Sequence, residues 1–98
     1  SIGTGRRIRS AETSEKIAFF EAFGMLAGEA AVPILDKLLN GRGFLGRTEP
    51  AEIRACAALG LGQVGTQAAT VSLQRAVGET DPVIRSAVSR ARKGGQTA

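Results

Sequence analysis

The sequence has no histidine, no tryptophan and no tyrosine, and it has one cysteine, one methionine and four phenylalanines in 98 residues. Each scarcity excludes something. Without histidine the chain lacks the commonest general base and the commonest transition-metal ligand. A lone Cys56 forms neither an internal disulfide nor a cysteine-rich zinc site. Few aromatic rings leave little surface for stacking on bases or sugars. The sequence therefore points to no catalytic residue, no metal site and no cofactor. Nothing in its cysteine usage speaks for an oxidising compartment, so a cytoplasmic location is expected. Unbroken apolar runs are short, as at Ala30–Leu35, against the roughly 20 residues that span a bilayer. No membrane association and no signal-peptide core are read from them.

Hydrophobic residues make up 43% and charged residues 22%, the balance of a globular domain with one modest core. The net charge of +4 is unevenly spread. Arg6, Arg7 and Arg9 lie at the N-terminal end, Arg42 and Arg47 in a glycine-rich stretch, and Arg85, Arg90, Arg92 and Lys93 near the C-terminal end. The segments between them are mildly acidic.

Two stretches recur. Leu26-Ala27-Gly28-Glu29-Ala30-Ala31 returns as Val64-Gly65-Thr66-Gln67-Ala68-Ala69, and Glu52-Ile53-Arg54-Ala55 returns as Val83-Ile84-Arg85-Ser86. Repeats of this length with helical patterning mark helix pairs that bury their apolar faces against neighbouring pairs. Residues 1–9 read as a flexible lead and residues 94–98 as a flexible tail, flanking a repeat domain over 10–93.

Five helices are predicted. The first runs from about Ser10 to Ala27, with Ile17, Phe20, Phe23 and Leu26 at helical spacing and Phe19 and Met25 widening the apolar face. The second runs from Glu29 to Asn40, with Pro33 in its first turn and Val32, Leu35, Leu38 and Leu39 buried. The third starts near Pro50, capped by Thr48 or Glu49, and ends near Gln63. Its Gly60 and Gly62 mark close approach to a neighbouring backbone. Gly65-Thr66 is a turn with Thr66 as N-cap. The fourth helix, Gln67–Val77, is expected to bury Ala69, Val71 (or Thr70), Leu73 and Val77, and Gly78 stops it. Asp81-Pro82 opens the fifth helix, which runs to about Lys93.

Asp81-Pro82-Val83-Ile84-Arg85-Ser86-Ala87 resembles the opening of a HEAT-like repeat of the short bacterial type, also found in phycobilin lyases. Glu52 to Gly60 resembles the same first helix, Val64 to Leu73 its turn and second helix, and Ala30 to Leu35 that second helix again. The resemblance implies an all-α, right-handed α-solenoid of about two and a half helix pairs, serving as a scaffold or binding surface. The insertion at 41–48, the Phe-rich first helix with Lys16 in place of an arginine, and the missing last helix depart from the pattern.

Several candidate sites follow. Arg54 and Arg85 occupy equivalent positions, either as an anion-binding ladder or as ties to acidic residues and carbonyls in the inter-repeat turns. The tie is the expected role, with Glu49, Glu52, Glu79 and Asp81 as partners. The segment Gly41–Arg47 either presents Arg42, Phe44 and Arg47 to a partner or folds Phe44 onto the core as a lid. On the concave side, Asp36, Lys37, Asn40, Gln74, Arg75 and Glu79 are expected contacts. That set mixes both signs and suits a protein better than a polyanion. Cys56, among alanines, reads as a buried small hydrophobe.

The sequence thus predicts a non-enzymatic protein-interaction or scaffold module. Weak nucleic-acid binding is the alternative, disfavoured by the acidic helical body. The first helix carries more large apolar surface than one neighbour covers. That surplus predicts a protein that continues upstream of Ser1, and a chain that pairs through this helix as a symmetric dimer.

Overall fold

A computed structural model of the chain describes residues 2–41 and 47–97, and among these the regular structure is entirely helical. Helix α1 spans Ile2–Ala27, a 3-10 turn Gly28–Ala31, α2 Val32–Asn40, α3 Ala51–Val64, α4 Gln67–Arg75 and α5 Pro82–Thr97. Helix α3 is the hub, packing against α1, α2, α4 and α5. In addition α2 lies against α4, and α4 against α5.

The turn chemistry works as the residues demand. Gly65 adopts φ 68, a left-handed conformation that costs glycine nothing, and it closes α3. Thr66 then caps α4, its Oγ1 accepting from the Ala69 N–H at 3.4 Å. Asp81 Oδ1 accepts from the Val83 N–H at 2.9 Å, and Pro82 is the first residue of α5. Pro33 lies in the first turn of α2, where its missing N–H breaks nothing. Thr48 and Glu49 do not cap α3. Pro50 holds that position, without a side-chain cap.

The core centres on α3. Ala57, Ala58 and Leu61 are fully buried, with Leu35 and Leu39 of α2, Ala69 and Leu73 of α4, and Ile84, Ala87, Val88 and Ala91 of α5 closing around them. Val32 and Leu38 are half-buried against this cluster. Small side chains allow the helices to approach closely. A Cβ on Gly24 would drive into the carbonyl of Gly60, and one on Gly60 would lie 2.8 Å from the Phe20 carbonyl oxygen. A Cβ on Gly62 would lie 2.9 Å from Ala91 Cα. The expected close approach at Gly60 and Gly62 is therefore the crossing of α3 with α1 and with α5.

Three expectations are corrected. Helix α1 opens at Ile2 rather than near Ser10, and α5 continues to Thr97 rather than ending at Lys93. No proline interrupts either stretch, and glycine lowers helix propensity without forbidding a helix. Helix α4 ends at Arg75, and its buried face is Ala69, Ser72 and Leu73, with Ala76 buried just past its end, whereas Val71 and Val77 are exposed. Spacing of three and four residues selects that face. Ser72 enters it because its hydroxyl donates to Asp36 Oδ1 at 2.6 Å.

Candidate interaction surface

The polar side chains mostly join one helix pair to the next. Thr13 Oγ1 donates to Glu52 Oε1 at 3.1 Å, joining α1 to α3, and Lys16 Nζ reaches the same oxygen at 3.4 Å. The Thr66 hydroxyl bonds to Glu29 Oε1, joining the 3-10 turn to α4. Asp36 on α2 receives Ser72 and Arg75 from α4. Each of these links spans 36 to 39 residues, close to the offset between Leu26–Ala31 and its recurrence at Val64–Ala69.

Arg54 is the most enclosed cation among them. Its Nε donates to the Leu39 carbonyl at 2.9 Å, and its Nη2 lies 2.7 Å from Glu79 Oε2. It ties the end of α2 to the turn after α4, the structural role expected of it. Arg85, at the same fourth position of its helix, is exposed and has no hydrogen bond or ion pair of its side chain among the described residues.

The concave-side candidates divide. Asn40 Nδ2 donates to Asp36 Oδ1 at 2.9 Å and to the Ser72 carbonyl at 3.0 Å, so its amide is committed to the α2–α4 junction. Arg75 Nη1 lies 3.3 Å from both Asp36 oxygens, yet its side chain remains 61% exposed. Lys37 and Gln74 are exposed. Partial burial pushes the Asp36 carboxyl up, but the bonds from Ser72 and Asn40 and the charge of Arg75 outweigh it and hold the group below its ordinary value. Arg47 is exposed, and Arg42 and Phe44 lie outside the described residues.

Cys56 is buried, and burial, reinforced by Glu52, pushes its thiol above the ordinary value. Such a thiol stays protonated and unreactive near neutral pH. No group of three or more His, Cys, Asp or Glu side chains gathers as a metal site among the described residues.

The least satisfied surface is on α1. Its inner face, Thr13, Ile17, Phe20, Gly24 and Ala27, is half-buried or buried and turns toward α3. Behind it runs an apolar stripe of Ala18, Phe19, Ala22, Met25 and Leu26, all exposed. Phe19 is 69%, Met25 65% and Leu26 87% exposed. The Phe19 ring meets Phe20 edge-on, with centroids 5.9 Å apart, so it is oriented but not covered. Isolated apolar residues on a surface are ordinary; a contiguous stripe marks an interaction site.

The same stretch bears on membranes. Although its unbroken apolar runs are short, the helical segment Glu12–Asn40 contains an 18-residue window of mean hydropathy 1.5, of which 11% is buried. By length and composition alone it passes as a membrane span, and the core helix of a soluble protein can pass the same test.

No family model, no curated protein and no solved structure matches this chain.

Proposed function

We propose that this chain is a non-enzymatic protein-interaction module, soluble and cytoplasmic, that works through the outer face of α1. The uncovered stripe of Phe19, Met25 and Leu26 carries this reading. A helix that buries one face on α3 and offers a second apolar face to solvent is built to be covered from both sides. In the purified protein the occupant is a second copy, paired about a twofold axis through α1.

The architecture we infer is HEAT-like. In this arrangement α1, α3 and α5 form one layer and α2 and α4 the other. Polar links one repeat apart support it, as does the shared register of Arg54 and Arg85 on α3 and α5.

Sedimentation of the wild-type chain over a concentration series tests the function. Dimerisation that Phe19→Glu and Leu26→Glu each abolish, with helical content unchanged, is the expected result. A chain that stays monomeric at every concentration contradicts it.

A second reading takes the stripe into a bilayer and rests on the apolar window in Glu12–Asn40. Against it, Gly28 breaks that segment with φ 57, Glu21 is half-buried within it, and the inner face of α1 is already engaged by α3. Flotation with phospholipid vesicles distinguishes the two. The nucleic-acid reading predicts binding that is insensitive to sequence and steeply weakened by salt.

A further inference from the structure

A groove of about 340 Å3 opens on the side of α5 away from α1, between α5 and the end of α4. Ala76, Val77 and Val88 supply its apolar lining, and of these Val77 is the exposed one; Ser89 adds a hydroxyl. Three cations line it: Arg85, Arg92 and Lys93.

The chain contains its own template for this place. Arg54 and Arg85 are each the fourth residue of their helix. Arg54 has the end of α2 on one side and a carboxylate, Glu79, on the other. Arg85 has the end of α4 beside it at Ala76 and Val77, and no carboxylate facing it among the described residues. Three further positions of the register have become polar or cationic. In the alignment that sets Arg54 on Arg85, Ala58, Leu61 and Gly62 of α3 become Ser89, Arg92 and Lys93 of α5. An apolar helix such as α4 therefore suits α3 but not this face. Charge complementarity asks for an acidic one.

We infer that this groove docks an acidic helix end of a partner protein, whose terminal carboxylate takes on Arg85 the place that Glu79 takes on Arg54. Arg92 and Lys93 receive further carboxylates along the helix, and Val77 meets its aliphatic stems. The inference rests on the chain being an interaction module, but not on the α1 stripe. Three cations beside one exposed apolar side chain fit a short acidic helix better than the extended backbone of a polynucleotide.

The test uses the full chain and a labelled synthetic Ala/Glu helical peptide that ends in Val-Gly-Glu, the sequence of residues 77–79. A second peptide has every Glu replaced by Gln. The Glu peptide should bind and the Gln peptide should not. Arg85→Gln should weaken binding about fivefold, the upper range for a partly exposed ion pair. The combined Arg92→Gln and Lys93→Gln change should also weaken it. Arg90→Gln, the same charge change on another face of α5, should leave binding intact. Three results would overturn the inference: no binding of the Glu peptide, equal losses for Arg85→Gln and Arg90→Gln, or a single-stranded oligonucleotide that binds more tightly with the same Arg85 dependence. Sedimentation of the same samples keeps the outcomes apart, because a dimer that persists without peptide binding refutes the groove and spares the α1 interface.

Discussion

Arg54 and Glu79 form an ion pair at 2.7 Å, and the same guanidinium donates to the carbonyl of Leu39 through Nε. Three segments, the end of α2, the start of α3 and the turn after α4, thus converge on one side chain. With 13% and 24% of the two side chains exposed, the pair is neither a free surface contact nor fully desolvated. Arg54→Ala leaves a carbonyl and a carboxylate without their donor and should cost about 2 kcal/mol. Arg85→Ala should fall within about 0.5 kcal/mol of wild type. Urea denaturation of both variants measures the contrast. Equal losses would mean that the pair contributes nothing beyond what an exposed arginine does.

Gly24 and Gly60 set how closely α1 lies on α3. Gly24→Ala should lower stability by at least about 2 kcal/mol, because the obstacle is backbone rather than a flexible side chain. Gly78→Ala should be near neutral, since an added Cβ there meets nothing within 4 Å and φ is not positive. Thermal melts of the two variants compare them directly.

Much of this packing was legible in the sequence, for identifiable reasons. Gly60 and Gly62 stand in the middle of a helical pattern, where glycine costs propensity and needs a reason. Gly24, inside the first predicted helix, gives the same signal, but nothing in the local sequence says that the backbone it meets is that of Gly60 on α3. The recurrence of its position predicts a tie at Arg54. Its partner could be narrowed only to a group of acidic residues. The face of α4 differs from the predicted one because valine outranks serine and alanine in hydrophobicity. Burial of Ser72 depends on Asp36, a partner on another helix that no local pattern reveals. Asn40 and Arg75 likewise take partners that no local pattern reveals, the Asn40 amide at the α2–α4 junction and Arg75 on Asp36 while staying largely exposed.

Asp36 should make stability depend on pH in the acid range. Its folded-state pKa lies below the ordinary value, so the ionised form is the one that folding favours. Its contribution is complete above the ordinary value and disappears as pH falls through the lower folded value. Asp36→Asn should therefore be less stable than wild type at neutral pH, and the gap should close in strong acid. A gap that is constant from neutral to strongly acid solution would show that ionisation of Asp36 is irrelevant to the junction.

Cys56 should react with thiol reagents only when the fold opens. It is buried, and its pKa is raised by burial and by Glu52. Modification in native buffer should track the unfolding equilibrium and accelerate in urea to the rate of an unstructured thiol. Rapid labelling of the native chain would contradict the packing of α3.

Met25 is the only methionine in the chain and lies within the uncovered stripe of α1. Its methyl group therefore reports on that surface alone. With a 13C-labelled methyl, the resonance should shift as protein concentration rises, and a soluble paramagnetic agent should broaden it less in the associated state. Phe19→Glu should abolish both effects. A methyl that keeps one chemical shift and full accessibility at every concentration, with the diffusion of a monomer throughout, would contradict the pairing of two copies through α1.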